Sequence, residues 1–363
     1  MILNIFNKRD TTLYERYSTI NTGLDAILEV SKYIADTNEA YNSRALLDFD
    51  FTELQSLLSS QTLQSASFYL KLTTATTEEI PLDYSLYAYP ISQSWGMGTG
   101  RLGLTPVVST GATWTHRFGI QDDTTKWTTS SLAPGSTGSW SYVNGGGTWY
   151  TDTRYASSQS FSYQTTDVSM DVTDTVRAWI SGTLENSGFI VKRSQADESS
   201  VFELGTLKFF SKDTNTIFQP RIEVRWSDAT NAGTNPTASF EDEVVVGLTN
   251  LQPHYQQNSK VRFNVSLRPK YPTLTFATSS NYLDVYQLPP SSSYAILDAR
   301  TDDVIVPYDY NFTKISSDNK GSFFKLFLTG LQPERYYRIA IKTKPSDTEE
   351  YVFDKDWIFK VTR

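Results

Sequence analysis

The segment Asp171-Val172-Thr173-Asp174-Thr175-Val176-Arg177-Ala178-Trp179-Ile180 constrains the fold most, because it has helical period in a chain otherwise patterned for strands. Val172, Val176, Trp179 and Ile180 fall at i, i+4, i+7 and i+8, giving one apolar stripe that must pack on a sheet. Asp171 or Thr173 can cap its start, and Gly182 can end it. Residues 187–192, 205–211 and 220–226 follow, rich in β-branched and aromatic residues and separated by turn formers. They read as three strands.

Upstream, residues 12–14, 26–30, 44–51, 66–72 and 84–90 read as further strands. In 44–51 the alternation predicts Leu47, Phe49 and Phe51 facing inward, with Asp48 and Asp50 on the solvent face. From Ser92 to Gln159 the pattern weakens into a long excursion rich in Gly, Ser, Thr and Trp, with turn signals at Ala133-Pro134-Gly135 and Gly145-Gly146-Gly147. An excursion of that length is functional, self-packed or ordered by a neighbour. Trp95, Trp114, Trp127, Trp140 and Trp149 are placed to give it a core, or to offer flat rings to a glycan or a protein partner.

Small and polar residues fill 227–239, the clearest break in the chain. The expected organisation is a first domain over 1–228 with its excursion at 92–159, a linker at 229–236, and a second domain over 237–363. A length of 363 residues, beyond what one core usually fills, fits two domains. In the second, residues 244–246, 260–267, 294–297, 323–328, 336–341 and 357–361 read as six strands of a sandwich. Aromatics at 14% and abundant Ser and Thr point to an all-β protein.

Other features exclude functions. A net charge of −8, with basic residues scattered, lacks the positive stripe that nucleic acid requires. No apolar run reaches the length of a membrane span, and residues 1–9 lack the pattern of a secretory signal, so neither membrane insertion nor ordinary secretion is expected. The absence of cysteine removes disulfides, thiolate chemistry and the common zinc sites.

The chain also resembles known families. Asn21-Thr22-Gly23, Leu28-Glu29-Val30, residues 44–50 and 66–72, Asp171-Val172-Thr173 leading to Trp179 and Gly182, and Pro220-Arg221-Ile222-Glu223-Val224 follow the order and spacing of DNRLRE-type jelly rolls. These are relatives of carbohydrate-binding modules, and the resemblance spans most of residues 10–226. It implies a jelly-roll β-sandwich with one short helix. Leu331-Gln332-Pro333-Glu334-Arg335-Tyr336-Tyr337 resembles the Leu-x-Pro-x-x-Tyr corner of fibronectin type III modules, with a partial echo at Leu251-Gln252-Pro253-His254-Tyr255. It implies an immunoglobulin- or fibronectin-like sandwich. The tract from 251 through Arg268-Pro269-Lys270-Tyr271-Pro272-Thr273 to 337 is similar to the C-terminal region of structural proteins of contractile-tailed, often marine, bacteriophages. That resemblance implies a virion protein, made in the bacterial host cytoplasm, which binds other virion proteins and symmetry-related copies. The neck, collar, tail or fibre attachment region is the expected location, with head decoration next. A carbohydrate-binding adhesin recognising a host surface glycan is the competing expectation.

Candidate chemistry is sparse. His116 and His254 are the only histidines, and neither lies in a Gly-x-Ser-x-Gly elbow. The carboxylate pairs Asp48/Asp50, Asp122/Asp123, Asp302/Asp303 and Glu241/Glu243 are sequence neighbours, whereas a glycosidase needs two carboxylates facing across a cleft. Gly96-Met97-Gly98-Thr99-Gly100 lacks the Gly-Lys-Ser/Thr ending of a phosphate loop. No catalytic residue, cofactor site or metal site is therefore assigned, and the expectation is a protein that is not an enzyme.

Overall fold

The computed structural model describes residues 1–36, 39–127, 145–162, 165–240, 243–271 and 285–363. It is all-β, with several largely antiparallel sheets and few helices. The chain divides into two compact units, one of Ile5–Val224 and one of Met1–Asn4 with Arg225–Arg363.

In order, the strands up to that second division are β1 (Ile2–Phe6), β2 (Arg9–Tyr14), β3 (Ile27–Ile34), β4 (Ala40–Asp48), β5 (Ser67–Leu72), β6 (Thr74–Glu78), β7 (Tyr84–Pro90), β8 (Ser157–Phe161), β9 (Val168–Asp171), β10 (Phe189–Arg193), β11 (Gly205–Phe210) and β12 (Arg221–Arg225). One sheet runs β1-β12-β5-β9. The other runs β6-β11-β3-β4-β10-β7-β8, with β2 also paired to β4.

Strand β4 departs from simple alternation, since Ala45, Leu46 and Leu47 are all fully buried. Both of its faces are covered. Leu47 pairs with Phe189, and Phe189 meets Trp179 at 4.6 Å between ring centroids. Leu46, on the opposite face, packs with Trp95, Trp114, Trp127 and Trp149 of the excursion. Asp48 shares the parity of Leu46, which corrects the expectation of a solvent-facing carboxylate. It is 6% exposed and paired with Arg9 Nε at 2.7 Å. Asp50 does stay exposed, accepting hydrogen bonds from the Thr52 amide and hydroxyl.

Helix α1 (Thr52–Leu57), α2 (Ser60–Ser65) and α4 (Gln195–Glu198) are short. The landmark helix α3 spans Thr173–Ile180, starting two residues later than expected. Asp171 accepts from the Thr173 amide, while the Thr173 hydroxyl accepts from the Phe68 amide and ties the helix to β5. Its buried stripe is Val172, Thr175, Val176 and Trp179, with Ala178 buried beside it. Thr175 rather than Ile180 completes it, because the Thr175 hydroxyl reaches the Tyr155 carbonyl at 3.0 Å. Gly182, at φ +74°, ends the helix.

The second unit holds β13 (Val244–Leu248), β14 (His254–Gln256), β15 (Lys260–Pro269), β16 (Ser293–Asp298), β17 (Val304–Val306), β18 (Ser316–Asp318), β19 (Gly321–Phe327), β20 (Arg335–Ser346) and β21 (Glu349–Thr362). Its sheets run β13-β15-β19-β18 and β14-β21-β20-β16-β17, with β14 parallel to β21. Residues from both, including Phe263, Phe324, Tyr294, Tyr337 and Phe359, share one core with Ile2. The Tyr337 hydroxyl donates to the Gln332 carbonyl at 2.7 Å. In the echo motif the Tyr255 hydroxyl accepts from the Gln252 amide and donates to the Asn250 carbonyl. The polar run expected as a linker is laid along this unit: Ser317 donates to Thr230, Ala232 to Ser317, and Ala238 to Gln287.

Candidate functional site

The excursion covers one face of the eight-stranded sheet, and that face is built unlike an ordinary apolar core. Leu13, Leu46 and Ile190 supply an apolar floor for Trp95, Trp114, Trp127 and Trp149. Arg44 on β4 and Lys192 on β10 put cations on the sheet, and α4 supplies Glu198. All three are buried.

Arg44 forms a two-pronged pair with Glu198, both bonds at 2.9 Å. Lys192 Nζ meets the same carboxylate at 2.8 Å, and Lys32 Nζ donates to the Glu198 carbonyl at 2.6 Å. The Arg44 guanidinium also lies 4.8 Å from the Trp114 ring centre and 5.2 Å from that of Trp149. Burial opposes ionisation of Glu198, but Arg44 and Lys192 outweigh it and hold the carboxyl below its usual range. Burial lowers Lys192 to about 8, against the attraction of Glu198 and with the repulsion of Arg44. The cluster thus gathers two buried cations on one buried carboxylate.

Two devices hold the excursion down. Asn21 donates to the carbonyls of Met97 and Ala112, both at 2.8 Å, and accepts from the amides of Gly23 and Gly100. Gly146 sits at φ +79°, where a Cβ would lie 2.4 Å from Arg44 Nη1 and 2.8 Å from Trp114. Only glycine lets the backbone cross the guanidinium, which donates to the Gly146 carbonyl.

Four of the five tryptophans expected as glycan contacts are therefore interior. Trp95 and Trp149 are 0% exposed, Trp114 2% and Trp127 3%. None offers a ring face to solvent, which corrects the reading of them as a sugar platform. Trp95 and Trp127 donate to the carbonyls of Ser187 and Thr113. Trp140 lies outside the described residues. The outer surface of the excursion carries other apolar groups: Leu104 is 55% exposed, Val107 58%, Phe118 46% and Ile120 37%.

The remaining candidates are dispersed. His116 is buried, with Nδ1 2.8 Å from the Thr115 hydroxyl and Nε2 3.6 Å from Asp123; Thr115 also donates to Ser18, as a loop fastener. His254 is exposed on β14. Asp122 caps a turn at Thr124, Asp123 pairs with Lys126, Asp302 with Arg338, and Glu243 with Lys270. Glu241 lies outside the described residues. Among the described residues, no three His, Asp or Glu side chains gather as a metal site.

Sequence reading missed the Arg44–Glu198–Lys192 cluster. A signal existed, since Arg44 and Lys192 border the apolar runs Ala45-Leu46-Leu47 and Phe189-Ile190-Val191. Glu198 had none, being part of a four-residue helix. No family model matches the sequence, and a search of curated proteins finds no match.

Proposed function

We propose that this chain is a structural virion protein of a tailed bacteriophage, binding neighbouring subunits at the neck, collar, tail or fibre attachment region or on the head. The observation that carries the reading is the division of labour in the excursion. Trp95, Trp114, Trp127 and Trp149 stabilise it from inside, while Leu104, Val107, Phe118 and Ile120 remain on the outside. Exposed apolar groups on a segment fastened to a rigid sheet suit a protein partner better than solvent. The dispersal of histidines and carboxylates, each tied to local structure, favours assembly over catalysis.

On this reading the first unit is a jelly roll of the DNRLRE kind. Its two sheets, and the helix docked on β5 by Thr173, support that assignment. The second unit is an immunoglobulin- or fibronectin-like sandwich, supported by the hydroxyl-to-backbone bond of Tyr337, one residue beyond the exposed Tyr336 that the Leu-x-Pro-x-x-Tyr spacing marks. Cross-linking mass spectrometry on purified particles is expected to join Lys126 of the excursion to another virion protein or a second copy. Absence of the chain from purified particles would end this reading.

A further inference from the structure

Two loops of the first unit cross the same end of its eight-stranded sheet. Residues 79–83 join β6 to β7, and residues 194–204, which include α4, join β10 to β11. Gly205 lies against the carbonyls of Glu78 and Glu79, and Arg193, at the end of β10, donates to the carbonyls of Leu204 and Gly205. Apolar side chains stand out from both loops: Leu82 is 67% exposed, Val201 77% and Phe202 72%. The second loop is fastened. Its Phe202 amide donates to the Ser200 hydroxyl, the Ser200 amide to the Asp197 carbonyl and the Leu204 amide to the Lys32 carbonyl. Apolar groups held out on a fastened loop mark an interaction surface, because little ordering is left for a partner to impose.

Charge selects the partner. Glu79, Asp83 and Glu203 are exposed on the same two loops, and Asp83 and Asp197 line a cleft of about 530 Å³ beside them. Among the described residues none of these four carboxylates belongs to an ion pair, and no lysine or arginine lines the cleft. Arg193 lies behind its wall, 5.7 Å from the centre of the Tyr84 ring, and offsets one of the four charges. The Tyr84 hydroxyl, buried in that wall, has no hydrogen-bond partner. The net charge of −8 falls on the first unit, because basic and acidic residues balance over 1–4 and 225–363. A second copy's first unit would therefore meet like charge here, and its second unit has no net charge to attract; an anionic lipid surface is repelled as well. We propose that this surface binds a basic segment of another protein, with arginine or lysine on the carboxylates and an apolar side chain against Leu82, Val201 or Phe202. It shares no residue with the exposed apolar surface of the excursion, so the assembly reading and this one fail independently.

Fluorescence anisotropy of short labelled peptides titrated with the full chain at physiological salt is the test. One peptide alternates Arg with Val and Phe; a second has Glu in place of Arg, and a third Ser in place of Val and Phe. The first is expected to bind saturably, and the other two about tenfold more weakly or less. Phe202→Ser is expected to weaken the first peptide about tenfold, with the melting midpoint unchanged because the ring is exposed. Asp83→Asn with Glu203→Gln is expected to weaken it similarly. Glu53→Gln with Glu185→Gln removes the same charge at exposed positions elsewhere on the unit, and is expected to leave binding as in the wild type. The proposal is overturned if the first peptide does not saturate, if either altered peptide binds as tightly, if Phe202→Ser or the Asp83/Glu203 variant binds like the wild type, or if the Glu53/Glu185 variant loses as much binding.

Discussion

Asp10 is a buried carboxyl in the first unit whose protonation bears on stability. It is 1% exposed, and one of its oxygens accepts from both Asn7 and the Lys212 amide. Burial pushes its carboxyl up to about 7. A raised folded value means that the folded chain keeps a proton the unfolded chain releases, so stability falls as pH rises from about 4 to about 7. The loss is on the order of 4 kcal/mol. Asp10→Asn is expected to flatten that slope in urea unfolding followed across this pH range. Lys192 works in the opposite sense: its folded value near 8 lies below the usual 10.5, so stability rises between those limits. Glu198→Gln leaves Arg44 and Lys192 buried without their anion. A loss of about 3–5 kcal/mol is expected, and a loss under about 1 kcal/mol would mean that water reaches the cluster. Asp10 was not legible from residue types, since it sits in a polar strand spelled like an exposed one and is buried on the face it shares with Leu47. Arg44 and Lys192 border apolar runs, and the excursion folding over their face of the sheet buries them.

At the scale of elements, alternation and turn residues located most of the longer strands, because half-buried strands write their orientation into the sequence. Alternation misleads at β4, where a second cover on the sheet removes the solvent face that a period of two implies. It also leaves out α1, α2, α4, β6, β8, β9, β14, β17 and β18, which are short and carry little periodicity, and the apolar β1. The excursion was visible as a change of composition, and its tryptophans as a possible core. Its attachment to Asn21 was not, since one asparagine bonding four backbone groups leaves no pattern. Asn21→Ala strands those groups and is expected to cost roughly 3 kcal/mol or more, with faster amide exchange over residues 96–112. Trp179 makes α3 equally testable. Packed against Phe51 and Phe189, its replacement by Ala is expected to cost about 3–5 kcal/mol in equilibrium unfolding.

For the whole molecule, the sequence break at 227–239 lies close to the division at Val224, but the run itself belongs to the second unit. A fragment of residues 225–363 is therefore expected to melt higher than one of 237–363, which lacks the hydrogen bonds from Thr230 and Ala232 to β18. Ile2 in the second core, and Leu3 and Asn4 against Gly330, have a different consequence. The chain passes between its two units twice, after Asn4 and after Val224. A protease site opened at residues 227–229 would sever only one passage. The resulting pieces should part on a denaturing gel yet travel together under native conditions, the first donating its residues 1–4 to the second unit. Ile2→Asp with Leu3→Asp should weaken that donation, making the chain's first residues a clasp for its last hundred.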